Sequence, residues 1–556
     1  MRERRENAAA QPRPPRGAPR EFPVELDRTL DTPLPVQLAA SLREAIDAGT
    51  LRPAEPVPAT RVLASRIGVA RGVVVAAYEQ LIAEGYLVAT HGRGTAVNPQ
   101  LAAAACLGGW PAGDAAGDAA GAAAGASSPG TADGARGAQG AQGAQSRLGA
   151  RGTLGQTDSG PRAAASGRQG PGAPRGVSAA LESNGPLTGT GRQPLAPGEP
   201  IPSAIHSPAW RAAWREAAAR AHLVAPPLGD PRLREEIADH LRRMRSTARA
   251  ASDVIVTAGT REGLGLLLTS LGTTRGRGLV VGVEDPGLPS LRGVAARHGA
   301  RIVALPTDSE GLDTARLPEG VLDLVIVTPS HQYPLGGSLP LVRRRELLAW
   351  AKRGGVVIVE DDFDSELRYT GSPLPTLAAL DDAVDGSVVL LGTFSRTVAP
   401  ALSAGYLLAP ESIRSTIEPV RRELGGPVSS VVQFALAHYL ATGELRRHTA
   451  RLLRRYAERR DLVSERLAGA TDVRVRPMDG GLHAVLEFVG PDPAQLRERE
   501  NAAVERVRDA GLGAEPLGGY WQRRGSGMAG IVIGLGGPDD AEFDRALRAL
   551  AAVLRG

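Results

Sequence analysis

The stretch that decides the fold reads Leu391-Gly392-Thr393-Phe394-Ser395-Arg396-Thr397-Val398-Ala399-Pro400. It continues the last of six short runs of apolar, often β-branched residues, which alternate along the chain with helical stretches. Such alternation predicts a largely parallel sheet whose strands are joined by crossover helices. The six runs are residues 254–257, 279–283, 302–305, 324–328, 356–359 and 388–391. The segment after about residue 450 has helices and strands of its own and predicts a smaller C-terminal domain.

This stretch resembles the cofactor strand of fold-type-I pyridoxal-phosphate (PLP) aminotransferases. In that family a lysine at the position of Arg396 forms the Schiff base that holds PLP. A guanidinium cannot replace it, because it stays protonated and is not a usable nucleophile at neutral pH. Lys352 is the chain's one lysine, at a predicted helix end on the side away from the cofactor. Further matching blocks are residues 229–231, 233–235, 257–259, 284–287, 328–334 and 360–366.

The resemblance assigns roles to other positions, and several depart from the family. Asp361 stands where an acid pairs with the pyridine nitrogen. Phe363 replaces a tyrosine whose hydroxyl meets the cofactor, and Leu288 replaces the aromatic residue that stacks on the ring. Ser403 stands where an arginine grips the phosphate, so a charge-assisted contact is missing. Ile531 is aligned with the arginine that binds a substrate carboxylate.

The same comparison places a phosphate cup at Gly259-Thr260, where a helix begins. The helix dipole there favours an anion. Arg261 and Glu262 replace uncharged polar residues beside the cup, and Glu262 opposes an anion if it points inward. Asp361 and Asp364 could form an acid/base pair, although an architectural role is the simpler interpretation.

Two interpretations of Arg396 follow. The substitutions together indicate relaxed selection for PLP, which leaves a vestigial pocket; strong arginine bias (65 Lys and Arg, of which one is Lys) offers a neutral route to it. Alternatively, Arg396 anchors a different anionic ligand. A transaminase with an attached DNA-binding head is a third hypothesis, against which the missing lysine base argues directly.

Residues 22–98 predict three helices and a hairpin. The first helix, near residues 36–48, carries Leu38, Leu42 and Ile46 on one face. The second begins at Thr60, interpreted as its N-cap, and the third spans about residues 71–84, with Tyr78 and Leu81 assigned to the core. Two short apolar runs around residues 91–94 predict the hairpin. Three helices followed by a Gly-tipped hairpin are the plan of a winged helix-turn-helix.

This segment resembles GntR-type regulators in five blocks that occur in order and with the right spacing. They are residues 57–61, 67–71, 77–81, 83–87 and 91–95. The resemblance implies that five residues contact DNA: Arg61, Arg71, His91, Arg93 and Gly94. Arginine suits this role because it neutralises phosphate or binds guanine bidentately, while glycine lets the wing backbone approach closely. Ala70 stands where a serine commonly caps the recognition helix.

The composition of the remaining segments indicates which of them fold. Residues 1–21 predict a disordered basic arm, and residues 99–195, rich in Ala, Gly, Ser and Gln, predict a flexible linker. By the resemblance given above, residues 196–556 are expected to form an aminotransferase class I/II-like effector and dimerisation domain. A single cysteine, Cys106, excludes a disulfide framework and a thiolate metal site. No stretch is typical of a signal peptide or a bilayer span, so a cytoplasmic protein without membrane partners is expected.

The head, linker and body together resemble the MocR (GabR-like) subfamily of GntR-type regulators. The resemblance implies an α/β body of the PLP-dependent transferase type behind a winged helix. It further implies an operator in double-stranded DNA, a homodimer that presents two heads, and PLP as the family's cofactor. With Arg396 in place of lysine, covalent PLP and transaminase activity are expected to be lost, and control passes to another ligand, such as a small anionic effector, to a partner, or to concentration.

Overall fold

The computed structural model describes ten segments of the chain. They are residues 26–28, 34–83, 86–90, 94–99, 193–201, 207–220, 225–369, 374–476, 480–523 and 528–555. The predicted basic arm, nearly all of the predicted linker, and the wing residues His91 and Arg93 lie outside them. All the described residues belong to one compact unit.

The N-terminal head consists of three helices and a hairpin, as predicted. Its elements are α1 (Leu34–Asp47), α2 (Thr60–Ile67), α3 (Arg71–Ala83), β1 (Leu87–Thr90) and β2 (Gly94–Val97). β1 and β2 pair antiparallel. Leu38, Leu42 and Ile46 are buried at helical spacing in one core with Tyr78 and Leu81, which confirms the predicted face of α1 and the core assignment on α3.

The predicted cap of α2 is wrong. Thr60 is the first helical residue rather than the N-cap, which is Ala59, and no side chain caps this helix end. Thr60 instead has its hydroxyl 3.4 Å from Nε of Arg71, at the start of α3. The helix ends at Gly68, whose φ of +65° belongs to the left-handed region that glycine adopts without strain.

The body begins with a large mixed sheet of eight strands. They are β3 (Val254–Thr257), β4 (Val280–Asp285), β5 (Arg301–Asp308), β6 (Gly311–Leu312), β7 (Leu324–Val327), β8 (Val357–Asp362), β9 (Val388–Thr393) and β10 (Gly405–Leu408). Their order is β3-β10-β9-β8-β7-β4-β5-β6. Neighbours from β9 to β5 are parallel, whereas β10 pairs antiparallel with β3 and β9, and β6 with β5. All six predicted runs are strands of this sheet.

Both faces of the sheet are buried, as expected for a sheet with helical crossovers. Successive residues of β8 enter different cores: Val357 and Val359 pack on one side, and Ile358 packs on the other. The helices of this part of the body are α4 (Pro208–Ala218), α5 (Pro231–Arg245), α6 (Thr260–Arg275), α7 (Pro289–Arg297), α8 (Leu341–Gly354), α9 (Leu377–Leu380), α10 (Glu411–Leu424) and α11 (Ser430–Ala441).

The C-terminal part has helices and strands of its own, as predicted, and its strands form a second sheet, which is antiparallel. Its strands are β11 (Val473–Val475), β12 (His483–Phe488), β13 (Glu515–Pro516) and β14 (Gly530–Gly534), in the order β11-β12-β14-β13. Three helices accompany it: α12 (Glu444–Leu467), α13 (Pro493–Asp509) and α14 (Asp540–Arg555). Leu195 and Ile201 are buried in the core of this part, so residues that precede α4 in the chain also contribute to it.

Among the described residues, no helix has both the length and the apolar character that a bilayer crossing requires.

Candidate functional site

The predicted pocket residues meet at the carboxyl ends of the central strands. Asp361 lies near the end of β8, and Arg396 follows β9 by three residues. Gly259 follows β3, and Glu284 lies near the end of β4. Ligands of open α/β sheets bind at this edge, because the loops that leave the strands open a crevice there. Lys352 lies near the end of α8, before the amino end of β8 and therefore at the opposite edge, as predicted.

Asp361 is a buried carboxyl group without a partner on one oxygen. The residue is 4% exposed, and Oδ1 has no hydrogen-bond partner among the described residues. Burial, and then the neighbouring charge of Asp362, raises the pKa of Asp361 to about 8, while Arg396 acts in the opposite direction. An unsatisfied buried oxygen is costly unless something else pairs with it. The position therefore suits a polar atom that none of the described residues supplies.

Arg396 brings a positive charge into the same crevice. Its segment is held by local hydrogen bonds, from the Ser395 N–H to Thr393 Oγ1 (3.1 Å) and from the Val398 N–H to the Phe394 carbonyl (2.8 Å). Within the described part of the chain, the guanidinium has no hydrogen bond or ion pair. Its charge nevertheless opposes the rise in the pKa of Asp361 and of Tyr333.

A glycine makes room for this guanidinium. A Cβ added to Gly198 would lie 2.1 Å from Nη1 of Arg396, and Gly198 has a φ of +84°. Any larger residue would displace the arginine side chain and strain the backbone. The segment before α4 therefore covers Arg396, which the sequence pattern did not reveal because the two positions lie far apart in the chain.

The predicted anion cup has the expected backbone. Gly259, with φ +98°, precedes the first residue of α6, and no side chain caps this helix end. Glu262 accepts a hydrogen bond from the Ala258 N–H at 3.1 Å, and its other oxygen lies 2.5 Å from Nη2 of Arg421. Glu262 therefore turns back along its own helix and is paired with a buried arginine. It is not a lone negative charge in the cup, and Arg261 beside it is exposed.

Phe363 and its neighbours form an aromatic wall. The ring of Phe363 stacks on His331 at 5.9 Å between centroids and meets Tyr333 edge-on at 5.4 Å. His331 hydrogen-bonds Asp364 through Nδ1 at 2.9 Å, so Asp364 belongs to this pair rather than to Asp361. His331 Nε2 and Asp364 Oδ2 have no partner among the described residues.

Sequence reasoning missed His331, Tyr333 and His483 as site residues. His483, on β12, lies 5.4 Å from the ring of His331, and burial, followed by the charge of His331, lowers its pKa to about 4. A Cβ on Gly481 would collide with His331 at 2.2 Å, so glycine is required there. The block 328–334 resembles the family, but its sequence alone does not mark these side chains as site residues. Its juxtaposition with β12 depends on tertiary structure and has no local signal.

The remaining predicted positions contribute less to the crevice. Leu288 is partly buried beside α7 and packs against two apolar cores. Ser403 is exposed, with a φ of +44° at the end of a 3₁₀ turn. Ile531 is fully buried in β14, within the core of the C-terminal part. None of these three side chains supplies a charge for a phosphate or a carboxylate.

In the head, the described DNA-contact candidates share one property. Arg61 on α2, Arg71 at the start of α3 and Gly94 at the start of β2 are all exposed. Gly94 has a φ of +91°, which the turn into the wing strand requires. Arg71 Nε lies 3.4 Å from the hydroxyl of Thr60, the residue before Arg61, so the starts of α2 and α3 are neighbours. Exposed guanidiniums on adjacent helices are suited to phosphate and base contacts.

We expect Asp361→Asn to flatten the pH dependence of stability. The folded-state pKa of about 8 is above the ordinary value of 3.8. The folded protein therefore keeps a proton that the unfolded chain releases, and the stabilisation present below about pH 4 is lost as the pH rises towards 8. Between pH 5 and 8 the variant should gain stability relative to wild type by roughly 3–4 kcal/mol, because each pH unit between the two pKa values is worth about 1.4 kcal/mol.

Urea unfolding at pH 5, 6.5 and 8 measures this gain. Asp461→Asn, at a side chain that is 70% exposed, is the control for loss of one carboxylate. If the difference between wild type and Asp361→Asn stays constant with pH, the raised pKa is contradicted.

Comparison with known proteins supports both halves of this architecture. The family model of the bacterial regulatory proteins of the gntR family matches residues 34–97, and that of aminotransferase class I and II matches residues 195–515. The pyridoxine biosynthesis regulator PdxR of Corynebacterium glutamicum is 37% identical over 94% of this chain and 96% of its own length. The chain belongs to the MocR-type regulators.

Two further comparisons agree. The probable rhizopine catabolism regulatory protein MocR of Rhizobium meliloti is 31% identical over 78% of this chain and 77% of its own. An archaeal alanine:glyoxylate aminotransferase structure aligns with a TM-score of 0.59 over 68% of this chain and 93% of that chain, at 22% identity. This structural likeness establishes the fold of the body, which is that of PLP-dependent aminotransferases.

The residues of this MocR-type body fit PLP only in part. The unpartnered Oδ1 of Asp361 and the open helix end at Gly259 suit a pyridine nitrogen and a phosphate group. The position that the resemblance assigns to the attachment lysine does not fit, because it is occupied by Arg396, and Lys352 lies at the opposite edge of the sheet. We therefore derive no covalent step at this site.

Proposed function

We propose that this MocR-type regulator binds operator DNA through its winged helix, while its body holds no covalent PLP and catalyses no transamination. The observation that carries the proposal is Arg396 at the cofactor-attachment position, with the chain's one lysine at the far edge of the sheet. A guanidinium neither forms a Schiff base nor shuttles a proton at neutral pH. Borohydride trapping in the presence of PLP tests the proposal directly.

The operator contacts are assigned to Arg61, Arg71 and Gly94, together with His91 and Arg93, which lie outside the described residues. The exposed side chains of Arg61 and Arg71 support this assignment. The body is proposed to form a homodimer, so that two heads meet paired or repeated half-sites. Because the relative PdxR is named for pyridoxine biosynthesis, control regions of pyridoxine-biosynthesis genes are the first operator candidates.

We expect Arg71→Ala to weaken specific operator binding by roughly 1–3 kcal/mol, because Arg71 opens the recognition helix and is exposed. Fluorescence anisotropy with operator and scrambled duplexes, at one fixed salt concentration, measures the difference. Arg422→Ala is the matched control. It removes one exposed positive charge from α10 in the body. It should leave the affinities for the operator duplex and the scrambled duplex unchanged. Equal losses on both duplexes for Arg71→Ala would show a phosphate contact rather than base readout.

A second candidate function is sensing of a small anion at Arg396. Two observations favour it: the guanidinium is unpaired within the described chain, and the neighbouring helix end at Gly259 is uncapped by any side chain. Such a ligand would be held by charge and hydrogen bonds, without covalent attachment. Thermal-shift measurements with inorganic phosphate and with dicarboxylates, on wild type and Arg396→Gln, test it. A shift that Arg396→Gln retains would rule out Arg396 as the anchor.

A further inference from the structure

The head contacts the body through a small apolar surface, which we call the seat. It consists of Leu341 and Val342, in the first turn of α8, and Leu380, the last residue of α9. Leu341 is 3% exposed and belongs to the head's own hydrophobic core, against which Val342 and Leu380 also pack. The head's core is therefore completed by residues that lie more than 240 positions further along the chain.

A cation–aromatic contact flanks the seat. Tyr86, between α3 and β1, is fully buried. Two guanidiniums face its ring: Arg43 of α1, at 5.9 Å from the centroid, and Arg345 of α8, at 5.4 Å. Guanidiniums at this distance are attracted to the ring face. Arg345 thus adds a second contact between α8 and the head, beside the apolar one.

The seat is tied to the candidate pocket by Arg344. This side chain is buried and donates hydrogen bonds to three carbonyls, those of Leu339 (2.8 Å), Pro329 (2.8 Å) and Pro375 (2.7 Å). Pro329 and Leu339 bracket the loop that carries His331 and Tyr333. Pro375 leads into α9. One guanidinium therefore holds both elements of the seat against the pocket loop.

A second set of hydrogen bonds connects the seat to the strand that carries Asp361. Glu360, the preceding residue on β8, is fully buried and accepts hydrogen bonds from the N–H groups of Leu377 (2.9 Å) and Ala378 (3.1 Å). These amides open α9, whose last residue is Leu380. Successive residues of a strand point to opposite faces, so β8 presents Asp361 to the pocket and Glu360 to the base of the seat.

We propose that the seat docks the chain's own DNA-binding head in solution and links its position to the pocket loop. The exposed side chains of Arg61 and Arg71 are not covered by this contact, so a docked head can still bind DNA. Docking would set the orientation of the heads, and a change in the pocket loop would alter it. This inference goes beyond the proposed function and does not depend on whether PLP binds.

Chemical cross-linking tests the docking, because the chain has one lysine. The side-chain ends of Arg43 and Arg345 lie within 5.9 Å and 5.4 Å of one ring centroid. Arg43→Lys with Arg345→Lys should therefore give a cross-link with a short amine-reactive reagent. Leu341→Asp added to this pair should reduce its yield at least tenfold. Val321→Asp, at an exposed valine of the body (41%), should leave it unchanged.

Leu380→Asp provides a second disruption from the other seat element, in case Leu341→Asp impairs folding. Affinity for a single half-site shows whether the head remains folded, and separates loss of docking from loss of DNA binding. Absence of the 43–345 cross-link in the parent pair overturns the proposal. So does a cross-link that joins one ¹⁵N-labelled and one unlabelled peptide in a mixed sample, since the head would then sit on another copy.

Glu360→Gln tests the link to the pocket edge. At pH 8 it removes the carboxylate that holds the first turn of α9, and we expect the cross-link yield to fall at least twofold. Glu423→Gln, on α10, is the control for loss of one carboxylate. An unchanged yield in Glu360→Gln would show that the seat is independent of β8.

Discussion

Wild-type protein that is mixed with PLP and reduced with borohydride is expected to keep its mass, whereas Arg396→Lys is expected to gain one phosphopyridoxyl group. The wild-type chain offers a guanidinium at the attachment position, and its one lysine, Lys352, is exposed at the opposite edge of the sheet. A lysine at position 396 would place a primary amine at the carboxyl edge, where Asp361 and the helix end at Gly259 lie. Mass spectrometry and an absorbance titration measure both outcomes.

Three features support the expected gain in Arg396→Lys. Asp361 keeps one oxygen without a partner among the described residues. The cup at Gly259 retains its uncapped helix end, and Glu262 beside it is paired with Arg421 rather than left as a free charge. Phe363 and Leu288 are apolar and do not repel a bound ring. A cofactor would lack only the hydrogen bond of a tyrosine at position 363 and the stacking of an aromatic ring at position 288. One substitution is therefore expected to recover trapping, with weaker affinity than a complete pocket.

Lys352→Arg is the control for adventitious modification, because it leaves no lysine side chain in the chain. If wild type gains the group without an absorbance band of bound cofactor and Lys352→Arg does not gain it, the modification is adventitious and lies on the exposed Lys352. If wild type gains both the group and the band, the proposed function is wrong. If Arg396→Lys also stays unmodified, the pocket has lost PLP binding at more than one position. In that case the regulator remains independent of PLP, and the anion hypothesis for Arg396 rests on the thermal-shift result alone.

The sheet could be predicted from the sequence because each central strand is buried on both faces. Residues 357–359 are apolar without alternation, which is the local signature of a strand between two cores. The short antiparallel strand β10 was not predicted. Its segment, Gly405–Leu408, is just as apolar, but its place between β3 and β9 follows from pairing across the chain. The local sequence pattern therefore predicts the presence of a strand more reliably than it predicts which strand lies beside it.

In the candidate site, too, some features could be predicted from the sequence and others depend on tertiary structure. Asp361, Gly259 and Arg396 could be placed from blocks that resemble a family. Two pairings could not be predicted, that of His331 with Asp364 and that of Glu262 with Arg421. In each pair the two residues come from different structural elements. The same limit applies to Gly198, whose missing side chain makes room for Arg396. Thr60 was misassigned because a threonine at a helix start suits both the N-cap and the first turn.

Arg245→Leu is expected to destabilise the body by roughly 3–5 kcal/mol, the second large effect. Arg245 is fully buried, with Nη1 at 3.0 Å from Asp362 Oδ1 and Nη2 donating to Ser330 Oγ at 3.0 Å. Without it, the buried Asp362 carboxylate keeps its charge and loses the ion pair with Arg245. Urea unfolding at pH 7 measures the loss. Arg220→Leu, at a side chain that is 51% exposed and pairs with Glu216 one turn away, should cost under about 1 kcal/mol.

The double variant Arg245→Leu with Asp362→Leu distinguishes a charge effect from a packing effect. If the cost arises from a buried carboxylate that has lost its ion pair with Arg245, removing both partners should recover most of the stability, because buried ion pairs contribute little beyond an apolar pair of similar volume. The charge of Asp362 also raises the pKa of Asp361, so the double variant should shift the pH dependence of stability towards lower pH. A double variant as unstable as Arg245→Leu, with an unchanged pH profile, would instead show that Arg245 supports the fold mainly by packing and through Ser330.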